Sequence, residues 1–259
     1  MTNYPLTEKD GIKFIDLGIK GEIPLVLLHG LFGTASNFDR LIAEFSKERR
    51  ILMPILPIFE MSLRKLSLGG LLEYVEDFIK VMKVEKFHLL GNSLGGHIAL
   101  LYAIQHQDTL HSLTLTGSSG LYESSFGTSF PKREDYEYIR RKVSLTFYEP
   151  EMATKEMVDE VFDVVNNRSK AIRIVKTAKS AIRHNVEDQL SKIEVPTLLV
   201  WGEQDTITPK FVGEKFNELI IPSRLVMVDK CGHAPMLERP GQFNAALHSF
   251  LEDVEAETR

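Results

Sequence analysis

Short runs of branched apolar residues alternate along the chain with longer stretches in which apolar residues recur every three or four positions. The runs read as strands: Ile23 to Gly30, Arg49 to Leu56, Lys86 to Asn92, Leu110 to Gly117, Val195 to Gly202 and Ser223 to Lys230. The stretches read as helices: Phe38 to Ser46, Leu68 to Met82, Leu94 to His106, Pro209 to Leu219 and Pro240 to Val254. Strands that are apolar on both faces and separated by helices predict a mostly parallel sheet covered on both sides, an α/β fold. No internal repeat or low-complexity segment interrupts the pattern.

One gap does. From about Leu121 to Ile193 no strand pattern occurs. The segment opens on the small-residue loop YESSFGTSF and continues with helical periods near Tyr136 to Thr146, Thr154 to Asn166 and Ser169 to His184. A helical insertion between two strands of a parallel sheet lies over the carboxyl edge, where open α/β sheets bind ligands. The expected organisation is a core formed by residues 1–120 and 191–259, with residues 121–190 as a helical lid. That lid enters just before the strand that precedes the candidate acid described below.

Composition narrows the class. Of 259 residues, 43% are hydrophobic and 26% charged, enough for one sizeable core. The net charge of −5 does not advertise a nucleic-acid partner. The most basic local stretch, KREDYEYIRRK (Lys132 to Lys142), is interleaved with acids and reads as a solvated helix face. The single cysteine, Cys231, excludes an intrachain disulfide and fits a reducing compartment. The polar start MTNYPLTEKDG lacks the apolar core of a secretory signal, and no apolar run approaches the roughly 18 residues of a membrane span. A cytoplasmic protein without nucleic-acid or membrane partners is expected; a homodimer is left open.

The candidate chemistry centres on HLLGNSLGGHIALLYA, His88 to Ala103. Gly91-Asn92-Ser93-Leu94-Gly95 fits G-x-S-x-G between a strand and a helix. So sharp a turn forces its central residue to positive φ and leaves no room for side chains two positions away. Ser93 is thereby pushed out at the top of the sheet, where the N-terminus of the following helix suits an oxyanion. The plain alternative, a glycine-rich turn with an incidental serine, loses weight once partners are found.

A serine hydroxyl needs a base. Of eight histidines, His233 in DKCGHAPMLERP stands just past the last strand, at the same sheet edge as Ser93. His88 and His111 lie in strands, His97 and His106 on the helix after Ser93, His184 in the lid and His248 in the final helix. Each reads as a packing or surface residue. The base needs an acid. GEQDTITP offers Glu203 and Asp205; Asp205, further into the loop, is preferred over Glu203 and over a plain turn aspartate. The loop after Leu115 has no carboxylate before Glu123 and is the weaker site. Chain order is then Ser93, Asp205, His233.

HGLFG, His29 to Gly33, follows the first core strand and can present an oxyanion amide: Leu31 first, Phe32 second, with Leu94 as the other donor. His29 reads as a brace for that loop. No metal-ligand spacing and no phosphate-cradling glycine pattern occurs, so neither metal nor cofactor is expected.

HGLFG, GNSLGG, GEQD and CGHAPMLERP together, in that order over nearly the whole chain, resemble the α/β-hydrolase superfamily. GNSLGG, FYEPEMATKEMVDEVF and CGHAPMLERP look most like the carboxylesterases and carbon–carbon bond hydrolases related to the meta-cleavage product hydrolases. The resemblance implies a Ser93 nucleophile, a His233 base, an Asp205 acid and a helical cap over an apolar pocket. Two departures stand out. Where the family usually reads D-L-P-G-x-G-x-S, this chain has Ile55-Leu56-Pro57-Ile58-Phe59-Glu60-Met61-Ser62. That loop either lines a greasy pocket or an interface, or is buried under the lid. The lid arginine that grips a carboxylate in meta-cleavage hydrolases is matched by Val161, and their aromatic residue after the histidine by Ala234. Phe32 and Val161 are therefore candidate substrate contacts.

The leading function is hydrolysis of a small to medium, largely apolar ester. A C–C bond hydrolase of a dienoate or β-diketone comes second, without its lid arginine. A slow-turnover signalling receptor on the same fold, an acyltransferase and a cofactor-free perhydrolase are further readings. A dehalogenase is disfavoured, because its chemistry wants aspartate where Ser93 stands.

Overall fold

The computed structural model describes residues 4–20, 23–122 and 130–257. The YESSFGTSF loop and Glu123 lie largely or wholly outside these. Eight strands form one sheet: β1 (Thr7–Lys9), β2 (Ile12–Gly18), β3 (Leu25–Leu28), β4 (Arg50–Pro54), β5 (Phe87–Asn92), β6 (Leu110–Thr116), β7 (Thr197–Gly202) and β8 (Ser223–Val228). Their order is β1-β2-β4-β3-β5-β6-β7-β8. From β4 to β8 all pairings are parallel; β1–β2 and β2–β4 are antiparallel. The expected strands are present with trimmed ends. The antiparallel pair at the edge is additional. Its hairpin turns at Asp10 and Gly11, both at positive φ (51° and 77°), the conformation two-residue hairpin turns demand.

The helices are α1 (Asp39–Phe45), α2 (Leu68–Met82), α3 (Leu94–His106), α4 (Tyr136–Ser144), α5 (Lys155–Asn166), α6 (Arg168–Arg183), α7 (Lys210–Leu219), α8 (Pro235–Glu238) and α9 (Pro240–Glu257). The central strands feed two cores through alternate residues. Val26, Leu28, Leu89 and Leu199 pack with α2, α3 and α7. Leu25, Leu27, Leu90, Leu198 and Val200 pack with α1, α8 and α9 on the other face. All-apolar strands are thus accounted for by burial on both sides.

Between β6 and β7 the chain forms α4, α5 and α6. The side chains of Asp135, Thr154 and Asn167 accept from the amides of Tyr138, Met157 and Lys170 at 2.9, 3.4 and 3.1 Å, capping each helix at its start. α4 and α5 bury a small core of their own around Ile139, Val143, Val158, Val161 and Val165.

At the opposite end of the sheet from Ser93, a polar knot fixes α9. Glu255 Oε1 accepts from Arg49 Nη1 at 2.6 Å and from His88 Nε2 at 3.1 Å. Burial keeps the His88 imidazole neutral, and its Nδ1 takes the Ser112 hydroxyl at 2.7 Å. The His88 bond, aided by Arg49, pulls the Glu255 carboxyl down to a pKa of about 2 against burial. A carboxyl depressed on folding stabilises the fold above its ordinary pKa and loses that contribution as pH falls. Glu255→Gln should therefore cost up to about 3 kcal/mol at pH 7. In urea unfolding the gap to wild type should close as pH falls from about 5 towards 2; a gap independent of pH would refute the linkage.

Candidate active site

β5 ends at Asn92 and α3 begins at Leu94, so Ser93 alone makes the turn. Its φ of 55° and ψ of −117° place it among the few non-glycine residues at positive φ. The glycines beside it are steric requirements. A Cβ on Gly91 would run into the Gly95 carbonyl, and one on Gly95 into the Leu28 carbonyl. The Ser93 amide donates to Thr116 O at 3.1 Å, and its carbonyl accepts from His97 at 3.0 Å and Ser119 at 3.3 Å. The serine is thus held by β6, by α3 and by the loop after β6.

Asp205 follows β7 and is buried. Its Oδ1 accepts from the amides of Ile207 (2.8 Å) and Thr208 (2.9 Å). Its Oδ2 accepts from Thr208 Oγ1 (2.8 Å) and His233 Nδ1 (2.9 Å). A carboxylate accepts only, so the proton of this pair sits on Nδ1 and Nε2 of His233 is left as an acceptor. Glu203 has an exposed position in the same turn. The structure thus joins His233 to Asp205, and it places Ser93 and His233 on one cavity.

That cavity, of about 180 Å³, runs between the sheet edge and α4–α6. Leu31, Phe32 and Leu94 line it from the core, Val161 and Met157 from α5, and Ala178, Ala181 and Ile182 from α6. Phe32 stacks edge-on against Phe130 with centroids 6.2 Å apart. Glu160 and His233 are the ionisable side chains in the described lining; no lysine or arginine is among the described residues there.

His29 braces the first loop. Its Nδ1 donates to Gly30 O at 2.8 Å and its Nε2 accepts from Leu56 N at 3.1 Å. Burial holds this imidazole below its usual pKa, against a smaller effect of the Gly30 carbonyl. The Leu56 bond ties the oxyanion-candidate loop to the divergent Ile55–Ser62 loop. That loop does not contribute to the described lining. Leu56 and Ile58 are buried in the core, Lys170 of α6 lies over the Phe59 ring, and Arg173 of α6 donates to Met61 O. Of the expectations for it, lining of the described cavity does not hold, and Leu56, Ile58, Phe59 and Met61 are buried or packed against α6 while Glu60 and Ser62 are exposed.

Several residues escaped the sequence reading. Thr208 steadies Asp205 and lies 3.3 Å from His233 Nδ1. Asn92 Nδ2 donates to Thr116 O (3.0 Å) and His233 O (3.3 Å), joining elbow to histidine loop. Glu238, which is buried, does more. Its carboxylate accepts from the amides of Gly232 (2.9 Å) and Ala234 (3.1 Å), which flank His233, and of Tyr148 (2.8 Å) beyond α4. The fifth position after the histidine, in HAPMLE, is the signal that carried it.

A sheet of this order, with a serine elbow after its central strand and a carboxylate–histidine pair on loops at the same edge, defines an α/β hydrolase. The chain matches the α/β hydrolase fold family over residues 23–240 and belongs to it. An α/β hydrolase enzyme from a lagoon-sediment metagenome of Mar Chica, Morocco, is 37% identical, with TM-score 0.80 over 97% of this chain and 99% of that one. The monoacylglycerol lipase ABHD6 of Bos taurus is 25% identical over 92% of this chain and 78% of its own length. The 2-hydroxy-6-oxo-6-phenylhexa-2,4-dienoate hydrolase of Comamonas testosteroni is 26% identical over 68% of this chain and 66% of its own.

The Glu238 clamp is testable without substrate. Glu238→Ala should speed amide exchange at Gly232 and Ala234 more than tenfold, because each loses its acceptor. Unchanged exchange there would mean that the carboxylate holds nothing.

Proposed function

We propose that the protein is a serine hydrolase that cleaves a small to medium, largely apolar and uncharged carboxylic ester through an acyl-enzyme. The observation that carries this reading is the Asp205–His233 pair, with its free Nε2, sharing with strained Ser93 a cavity without described cationic lining. The hydrolase relatives support the reaction class. In this reading residues 121–190 act as a cap over the ester.

The steps follow from the groups present. His233 Nε2 takes the proton of Ser93 Oγ as the oxygen attacks the ester carbonyl. Asp205 stabilises the imidazolium through Nδ1–H. The carbonyl oxygen gains a negative charge and moves onto the amides of Leu31 and Leu94. Leu94 opens α3, so its amide has no carbonyl one turn earlier. His233 then hands its proton to the departing alkoxide. Water, deprotonated by the same nitrogen, releases the acid and restores Ser93.

The alternative is C–C cleavage of a dienoate or β-diketone, which the dienoate hydrolase relative favours. It asks the cavity to hold a carboxylate. Val161, buried and on the cavity wall, supplies no charge there. Arg168 and Arg183 point to solvent and Arg173 to Met61.

Ser93→Ala should abolish ester hydrolysis and the covalent labelling of wild type by an organophosphonate, which peptide mapping should place on Ser93. Label on another serine would end the assignment. Asp205→Asn should lower kcat roughly 10⁴-fold, as with other triad aspartates, whereas Glu203→Gln should change it little; the reverse ranking would transfer the role to Glu203.

Burying an unpaired carboxylate in an apolar site costs several kcal/mol. A short neutral aryl ester should therefore exceed an anionic vinylogous diketone acid in kcat/KM by orders of magnitude. Preference for the anion would establish C–C cleavage instead.

A further inference from the structure

The sequence of α6, RSKAIRIVKTAKSAIR, carries Arg168, Lys170, Arg173, Lys176, Lys179 and Arg183 and no acid, in a chain of net charge −5. Four of these, Arg168, Lys176, Lys179 and Arg183, fall with Ile172 at the spacing i, i+4, i+8, i+11, i+15. That spacing is one face of a helix. All five are exposed, and the stripe runs about 24 Å along the helix. None of the four cations is in an ion pair with a described residue. On the packed neighbours, Asp159 of α5 is engaged with Lys155 and Tyr136, and Glu76 and Asp77 of α2 with His106 and Lys80, while Glu160 of α5 faces the cavity.

The opposite side of α6 belongs to the cavity, through Ala178 and Ala181. Ile182 does both: it lines the cavity and is 45% exposed, while Ile172 within the stripe is 47% exposed. At the C-terminal end of the helix, Asn185 donates to Leu121 O at 2.9 Å. The next residue, Tyr122, is half exposed and its ring packs at a tilt against the equally exposed Phe211. Cations interspersed and bordered with exposed apolar side chains, on the outer face of a cavity wall, suit an anionic lipid–water surface better than a polyanion. The charges meet headgroups and the apolar side chains reach past them. We propose that the α6 stripe adsorbs the protein to an anionic lipid surface and brings the cavity against it. This revises the expectation of no membrane partner, which concerned spanning segments; adsorption needs none. It builds on the ester reading only in giving the cavity a lipid-dissolved substrate, and adsorption is measured without turnover.

The test is co-sedimentation of the full chain with phosphatidylcholine vesicles, with and without phosphatidylglycerol, at low salt. Binding should require phosphatidylglycerol and collapse at high ionic strength. Lys176→Gln with Lys179→Gln should lower the partition coefficient about 30-fold, at the usual strength of a basic residue near such a surface. Ile172→Ser should weaken it further on the same vesicles. An unchanged thermal midpoint of the variants shows that their fold is intact. Equal binding to pure phosphatidylcholine, or indifference to the lysine changes, would overturn the proposal. So would binding to duplex DNA as tight as to the anionic vesicles, with no effect of Ile172→Ser on either. Loss of ester hydrolysis in Ser93→Ala with adsorption intact separates the two readings.

Discussion

Ser93 sits at φ 55°, the conformation in which this chain passes from strand to helix within one residue and leaves the side chain proud of the sheet. A non-glycine residue held there costs on the order of 1–3 kcal/mol, and it persists only when its surroundings leave it no alternative. Those surroundings are specific. Thr116 O fixes the Ser93 amide, and His97 and Ser119 fix its carbonyl. β5 is flanked on both sides by parallel partners, β3 and β6, so the turn cannot relax sideways. The elbow packs so tightly that the first loop, with Leu31 and Phe32, is brought close by the absence of a side chain at Gly95. The strained residue, the helix N-terminus and the cavity wall are therefore consequences of one geometry.

The second half of the site is held differently. The loop of His233 is coil, and a coil loop holds a side chain in one place only if its amides are fixed. Glu238 does that with a buried carboxylate accepting from either side of the histidine. His233 N itself donates to Thr146 O at 2.8 Å, and Glu238 also holds Tyr148. The turn after α4 and the histidine loop are thus one hydrogen-bonded unit. The helical insertion is anchored at its base to the residue whose ring faces the cavity.

Much of this was legible in the chain. Strands buried on both faces announce themselves as apolar runs, and G-x-S-x-G between such a run and a helix has few other physical uses. His233 and Asp205 were singled out by their place after strand ends, and the fold joins them by a hydrogen bond. Other features were not legible, for stated reasons. The β1–β2 hairpin is short and its first strand, Thr7–Lys9, is fully polar and exposed, so hydrophobic pattern is silent there; the Asp10-Gly11 pair was the remaining sign. Thr208 and Asn92 act through bonds made across the fold, which no spacing encodes, and Glu238, five positions after His233, shows its role only once the loop is folded around it. The divergent Ile55–Ser62 loop was apolar for a reason that sequence leaves ambiguous, since a buried loop and a pocket wall have the same composition.

Charge placement links the pocket to the surface. An apolar cavity gains from an ester in proportion to the area that the ester removes from water, and the same apolarity makes such esters sparingly soluble. If esters are the substrate, as proposed, such a cavity is short of substrate in bulk water and well supplied at any interface where esters collect. α6 belongs to both problems at once, with alanines towards the cavity and lysines and arginines towards solvent. On the proposed ester reading, its small inner face leaves room for the acyl chain. Its outer face is free of that constraint, so a cationic composition there costs the cavity nothing and can serve wherever the substrate is gathered.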